Sequence, residues 1–185
     1  LKSYQFLRVH QEGQDAKLKL AIVGGGATGV ELSAELFHVA DMLKAYGMPE
    51  MSGKRVHVQL IEAGPRILPA LPEHIASLAT KELIRLGVTV SQGTRVTRAF
   101  DGGFETAEED KIEANLMIWA AGVKAPDFVA KIEGFETTRN NQVLVKGTLQ
   151  TTNFESIYVI GDCCACQQAD GSFVPPRAQS AHQMA

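Results

Sequence analysis

Three glycines early in the chain have the spacing of a turn that binds phosphate groups. Gly24, Gly26 and Gly29 form the pattern G-x-G-x-x-G, and Gly25 lies between the first two. In such a turn the first glycine lets the chain leave a strand sharply, and the second leaves room for a pyrophosphate beside the backbone. The third lets the next helix pack closely, and the free N–H groups at the start of that helix attract negative charge. The spacing therefore predicts a site for the pyrophosphate of a dinucleotide.

An acidic residue, Glu62, supports this interpretation. It directly follows an apolar run over 55–61 that has the character of a second strand. A carboxylate there can accept hydrogen bonds from the adenosine ribose hydroxyls and repels a 2′-phosphate, so it favours NADH over NADPH. The interval from Gly29 to Glu62 exceeds the usual roughly 20 residues, which we attribute to a long helix and a loop over 47–53. Arg66 lies close behind and could receive a 2′-phosphate, so NADPH binding stays open.

The apolar pattern predicts the elements that position these residues. Alternating strands and helices are predicted, in chain order, over 18–23, 27–46, 55–61, 73–86 and 88–90. Short polar-alternating segments then predict an antiparallel meander, over 94–100, 103–107 and 111–114. An apolar run over 116–120 returns to the parallel sheet. The predicted fold class is α/β, with a Rossmann-like parallel sheet, flanking helices and an antiparallel meander crossover.

The same pattern makes finer predictions about packing. Four side chains of the second predicted helix should face inward: Ile75, Leu78, Ala79 and Leu83. Trp119 should lie in the core. Gly122, just after the returning strand, should lie at the cofactor crevice, because ligands bind at the carboxyl ends of parallel strands. Further strands are predicted over 142–145 and 156–160, and a helix after Pro176.

Composition sets the broad class of protein. The chain has 185 residues, of which 45% are hydrophobic and 21% charged, which is enough for one sizeable core. A formal net charge of −3 and the lack of a long basic run argue against a nucleic-acid partner. No apolar run has the length of a membrane span, and no signal peptide is visible. The chain begins with Leu1 and ends at Ala185 inside a predicted helix, so we expect a soluble piece of a longer protein.

Three cysteines lie close together near the carboxyl end of the chain. Cys163 and Cys166 form a C-x-x-C pair, with Cys164 between them. Free thiols in a reducing compartment are the favoured interpretation, and a catalytic redox pair stays an alternative. A metal site needs a second ligand pair, so none is predicted.

Several motifs, taken together in order, resemble a known family. They occupy 24–36 (GGGATGVELSAEL), 61–71 (IEAGPRILPAL), 116–126 (LMIWAAGVKAP), 157–163 (IYVIGDC) and 175–183 (PPRAQSAHQ). In this combination the chain closely resembles the type II NADH dehydrogenases, which are single-subunit NADH:quinone oxidoreductases. These belong to the wider group of flavoprotein reductases that are built from two dinucleotide folds.

The resemblance implies a role for each matching residue. Gly24, Gly25, Gly26 and Gly29 match the turn for the NADH pyrophosphate, and Glu62 matches the ribose acid. Glu31 matches an acid that lies near the nicotinamide, where it would orient the ring or assist proton movement. Gly161 and Asp162 match the segment whose aspartate hydrogen-bonds the ribityl chain of FAD. Gln179 and Gln183 match the two glutamines of the quinone site.

The resemblance also implies an organisation and an activity. Residues 1–17 would be a lead-in, 18–150 the NADH-binding domain and 151–185 a partial FAD-domain segment. The parent protein would transfer a hydride from NADH to FAD and then electrons to a membrane quinone. It would act in the respiratory chain, bound peripherally at the cytoplasmic side of the bacterial inner membrane, and a homodimer stays open.

The family has an earlier glycine fingerprint for FAD and a membrane-binding region, and this chain has neither. We therefore expect the isolated chain not to retain FAD and to be inactive. The alternatives are a disulfide reductase that uses Cys163 and Cys166, and a nucleotide-binding module without turnover.

Overall fold

The computed structural model describes residues 17–47 and 55–185. The predicted lead-in, apart from Lys17, and the predicted loop over 47–53, apart from Gly47, lie outside these residues. The chain divides into two compact units, Leu1–Ala121 and Gly122–Ala185. The predicted boundary after residue 150 is based on the cofactor that each segment is expected to bind, and it stays a prediction.

The described part of the first unit contains a parallel sheet and an antiparallel sheet. Its elements in chain order are β1 (Leu18–Val23), α1 (Ala27–Ala45), β2 (Val56–Ile61), α2 (Glu73–Leu86), β3 (Thr89–Ser91), β4 (Val96–Phe100), β5 (Gly103–Thr106), β6 (Lys111–Glu113) and β7 (Leu116–Trp119). The parallel sheet has the order β3-β2-β1-β7, and β4, β5 and β6 form the antiparallel meander. The predicted α/β class, the parallel sheet and the meander are confirmed.

The core of this unit lies on the central strands of the parallel sheet. Ile22 on β1 and Val58 and Leu60 on β2 have no exposed surface. Such near-continuous apolar strands are typical of parallel sheets that are covered on both faces. The predicted apolar face of α1 packs against this cluster, through Val30, Ala34, Phe37, Ala40 and Leu43.

The inward face of α2 was predicted wrongly in part. Ala76 and Leu83 are buried, whereas Ile75 is 39% and Leu78 is 60% exposed. The helix turns about 100° per residue, so Ile75 lies at the flank of the face centred on Ala76 and Leu83, whereas Leu78 lies about 160° from Ala76, near the opposite side of the helix. Gly87 ends the helix in a left-handed conformation, with φ of 101°, as its position predicts.

The predicted core position of Trp119 was also wrong. Trp119 is 59% exposed because it ends β7, which is an edge strand with β1 as its one neighbour in the described sheet. Its ring meets Phe104 of the meander edge-on at 6.2 Å, and its indole N–H donates to the Ala121 carbonyl at 2.9 Å. The Trp119 ring thus packs against Phe104 of the meander, while much of its surface stays exposed.

The second unit has little regular structure. It contains β8 (Val143–Val145), β9 (Cys164–Cys166) and α3 (Ala178–Met184), and β8 and β9 pair in parallel. The predicted strand over 156–160 is wrong: a single bridge between Gln150 and Tyr158 replaces a ladder. The sequence did not predict β9, since its Cys-Ala-Cys run is short. In the described part of the chain, no helix is long and apolar enough to cross a membrane.

Candidate dinucleotide-binding site

The glycine turn joins β1 to α1 and is tightly packed. The Gly24 N–H donates to the Ile61 carbonyl at 2.8 Å, so the turn is tied to the end of β2. Gly24 has φ of +115°, a conformation that side chains disfavour, and an added Cβ would lie 2.7 Å from the Ala121 nitrogen. A Cβ on Gly29 would lie only 1.9 Å from the Gly24 carbonyl oxygen. Both glycines are therefore required by the close approach of helix, turn and strand.

Gly26 differs from these two positions because it faces open space. No atom lies within 4 Å of the place its Cβ would occupy, and Gly26, Ala27 and Thr28 are exposed. The helical bonding of α1 begins where the Val30 N–H donates to the Gly26 carbonyl at 3.1 Å. The N–H groups of the first turn therefore have no helical acceptor and can bind an anion. This is the space and the chemistry that a pyrophosphate requires.

Glu62 is held against the glycine turn by two backbone donors. The Gly25 N–H donates to one carboxylate oxygen and the Gly64 N–H to the other, each at 2.6 Å. An ionised carboxylate offers about four acceptor positions, so about two remain for ribose hydroxyls. The side chain is half-buried, which keeps it reachable. The predicted pairing of turn and acid is therefore present in one place.

A loop that the sequence did not predict to belong to the site packs behind this pair. Ile67 has no exposed surface, and the Leu68 N–H donates to the Gly25 carbonyl at 2.7 Å. A Cβ on Gly25 would lie 2.9 Å from both the Glu62 carboxylate and the Ile67 side chain. A signal was available, since Ile67 and Leu68 are apolar residues inside a proline-rich connection.

Arg66 lies in the same loop, and its guanidinium turns toward the main chain. It donates to three carbonyl groups, those of Leu68, Pro69 and Leu71, at 3.2, 2.9 and 2.9 Å. These three N–H donors are engaged with loop carbonyls and are therefore not available to a 2′-phosphate.

Glu31 lies on α1, two residues beyond Gly29. Its side chain is exposed and forms no ion pair with any residue that the structure describes. Glu31 thus lies on the helix that starts at the glycine turn. Its role toward the nicotinamide stays a prediction.

The remaining predicted site residues belong to the second unit. Gly122 and Gly161 both have positive φ, of 77° and 71°. Asp162 is exposed in a short 3-10 turn, and its backbone carbonyl accepts from the Gln142 amide at 2.9 Å. Gln179 and Gln183 are exposed and lie one turn apart on α3, hence on one face. The roles of these residues toward flavin and quinone stay predictions.

The cysteines are arranged poorly for dithiol chemistry. Cys164 begins the extended strand β9, so Cys163 and Cys166 are three extended residues apart and their Cα atoms are separated by about 10 Å. A disulfide requires a Cα–Cα separation below roughly 7 Å. Burial, and to a lesser extent the neighbouring thiols, raise the pKa of Cys164 to about 11. Thiolates are the reactive form, so this thiol is inert near neutral pH. Among the described residues no cluster of His, Cys, Asp or Glu is arranged to hold a metal ion.

Alkylation tests this arrangement of thiols. At pH 8 we expect iodoacetamide to label the half-buried Cys163 and to spare Cys164 and Cys166, because both are buried. Mass spectrometry of the native chain should therefore find one label, and the chain in guanidinium chloride should take up three. In the flavin-loaded whole protein, fast labelling of both Cys163 and Cys166 that appears only after NADH is added would instead support the disulfide reductase alternative.

The family model described as pyridine nucleotide-disulphide oxidoreductase matches residues 1–185. The chain belongs to this family. The family's description mentions a disulphide, and Cys163 and Cys166 of this chain are too far apart to form one.

Curated relatives narrow the resemblance. The type II NADH:quinone oxidoreductase of Haemophilus influenzae is 48% identical over 169 residues, which are 91% of this chain and 38% of that protein. The protein of the same name from Staphylococcus saprophyticus is 31% identical over 84% of this chain and 38% of its own length. The predicted resemblance to type II NADH dehydrogenases is confirmed. The chain spans less than half the length of these relatives.

Solved structures share the fold. NDH2 from Plasmodium falciparum in complex with NADH has a TM-score of 0.73 at 24% identity, over 90% of this chain and 37% of that one. A FAD-dependent pyridine nucleotide-disulphide oxidoreductase from Desulfovibrio vulgaris has a TM-score of 0.66 at 23% identity, over 96% of this chain and 43% of that one. At these identities the likeness concerns the fold alone.

Proposed function

We propose that the first unit binds NADH and that the chain is the NADH-binding part of an NADH:quinone oxidoreductase. One observation carries the proposal: the Glu62 carboxylate is fixed by the Gly25 and Gly64 N–H groups directly beside a glycine turn with open space at Gly26. A carboxylate for the ribose and a cradle for the pyrophosphate are the two contacts that a dinucleotide requires at this end. The name shared by the two curated relatives supports NADH and a quinone as the substrates.

The contribution of this chain to the reaction is binding and alignment. The glycine turn and the start of α1 hold the pyrophosphate, and Glu62 accepts hydrogen bonds from the ribose hydroxyls. With one end fixed, the nicotinamide is presented in a defined direction, and Glu31 on the same helix orients it. Such positioning supplies a large part of enzymatic rate enhancement.

Flavin, when bound, would supply the redox chemistry, which is hydride acceptance from NADH and electron donation to a quinone. In the second unit we propose that Asp162 hydrogen-bonds the ribityl chain of FAD and that Gln179 and Gln183 contact the quinone. Residues 18–150 then serve NADH and residues 151–185 serve FAD. The whole protein would bind peripherally to the cytoplasmic side of the bacterial inner membrane, where a quinone is available. The 185-residue chain by itself would bind NADH without turnover.

The quinone role can be tested in the whole protein. We expect Gln179→Ala to slow quinone reduction about tenfold, which corresponds to the loss of about one hydrogen bond, while flavin reduction by NADH is unchanged. Stopped-flow measurement of the two half-reactions separates these effects. Gln168→Ala, in an exposed turn outside α3, is the matched control. Equal slowing of both half-reactions would contradict a quinone contact at Gln179.

A further inference from the structure

The loop from Arg66 to Leu71 is closed around one guanidinium group. Nη1 of Arg66 donates to the Leu68 and Leu71 carbonyls, and Nη2 donates to the Pro69 carbonyl. The loop also closes on itself, because the Leu71 N–H donates to the Leu68 carbonyl at 2.9 Å. A planar cation with several fixed donors can gather carbonyl groups in this way, and a lysine ammonium cannot reproduce the geometry.

The loop contains a backbone conformation that these hydrogen bonds can stabilise. Leu68 has φ of 48°, in the left-handed region that residues with a side chain disfavour. In this conformation its N–H reaches the Gly25 carbonyl at 2.7 Å, while Ile67 is buried against Gly25. The unfavourable backbone conformation therefore coincides with the contact to the glycine turn.

A continuous series of contacts links Arg66 to the ribose acid. Arg66 binds the Leu68 carbonyl, the Leu68 N–H binds the Gly25 carbonyl, and the Gly25 N–H binds the Glu62 carboxylate. We propose that Arg66 is a positioning residue for the dinucleotide site, which holds the loop so that Gly25 and Glu62 keep their geometry for NADH. This inference rests on the proposed function, since it assumes that NADH binds at the glycine turn.

The proposal competes with a role for Arg66 as the receptor of a 2′-phosphate. A guanidinium has five N–H donors, and here its two terminal nitrogens are engaged with loop carbonyls. The two roles predict opposite results. A positioning residue affects NADH and NADPH alike, whereas a phosphate receptor affects NADPH alone.

Calorimetric titration of the 185-residue chain with NADH and NADPH distinguishes the roles. For Arg66→Ala we expect the Kd for NADH to rise about tenfold, since small displacements of binding groups are costly. The Kd for any measurable NADPH binding should rise by the same factor, so their ratio is unchanged. The stoichiometry should stay near one, which partial unfolding would lower. Arg66→Lys should give a smaller rise, and Arg85→Ala, an exposed arginine paired with Glu82 on α2, should give none.

Two further measurements keep the test decisive. If Arg66→Ala does not fold, amide hydrogen exchange in Arg66→Lys should be faster at Leu68 and unchanged at Ile22 in β1. Unchanged NADH affinity in the variants that fold, or unchanged exchange at Leu68, would overturn the positioning role. Failure of the unaltered chain to bind NADH would overturn the proposed function itself, whatever the Arg66 variants do.

Discussion

Gly29→Ala should unfold or strongly destabilise the first unit, whereas Gly26→Ala should leave it folded and abolish tight NADH binding. An added methyl group at Gly29 would lie 1.9 Å from the Gly24 carbonyl oxygen, which is a backbone atom that cannot move aside cheaply. Overpacking of this kind costs about 3 kcal/mol, with a fall in Tm on the order of 10 °C for a unit of this size. The same methyl group at Gly26 meets nothing within 4 Å and should be neutral for stability.

The contrast between these variants separates folding from binding. At Gly26 the methyl group would occupy the space proposed for the pyrophosphate, so the Kd for NADH should rise on the order of 100-fold. Thermal denaturation and calorimetry of both variants provide the measurements. Unaltered NADH affinity in a folded Gly26→Ala chain would mean that the pyrophosphate does not lie at this turn.

Replacing Glu62 should weaken NADH binding and relax the discrimination against NADPH. The carboxylate accepts from the Gly25 and Gly64 N–H groups and has about two further acceptor positions that ribose hydroxyls can use. Hydrogen bonds to a charged group contribute about 1.5–3 kcal/mol each, so Glu62→Ala should raise the Kd for NADH about 100-fold. Loss of the negative charge also removes the repulsion of a 2′-phosphate, so NADPH should be weakened much less.

Two companion variants isolate the cause. Glu62→Gln keeps the shape of the side chain but has one carbonyl oxygen, so one of the two backbone N–H groups loses its acceptor. The Kd of this variant for NADH should lie between those of the native chain and Glu62→Ala. Glu35→Ala removes an exposed acid of α1 and should leave both affinities unchanged. Equal affinity of the native chain and Glu62→Ala for both nucleotides would contradict the ribose assignment.

Much of the first unit was predictable from the sequence because its signals are local. The glycine spacing and the apolar strands around it lie within short windows, and residue 62 is marked by its place at a strand end. The meander was predictable from alternation and the Asp101-Gly102-Gly103 turn, and its strands lie where the alternation predicts them.

Two of the errors have a common physical origin, because the pairing of a strand is decided by parts of the chain outside that strand. Trp119 is apolar and lies in a strand, but its exposure follows from the position of β7 at the sheet edge. The run over 156–160 has the composition of a strand, yet Ile157, Tyr158 and Ile160 are exposed and form no ladder in the described chain. The fastening of the loop by Arg66 depends on φ of Leu68, which composition does not show.

NADH binding by the first unit is tested most directly by a calorimetric titration of the 185-residue chain with NADH and NADPH, after its absorbance has been checked for flavin. We expect one NADH site per chain, much weaker NADPH binding and no bound flavin. Binding of neither nucleotide by a chain that unfolds cooperatively would contradict this expectation, because the turn, the helix start and the held carboxylate all lie within the first unit.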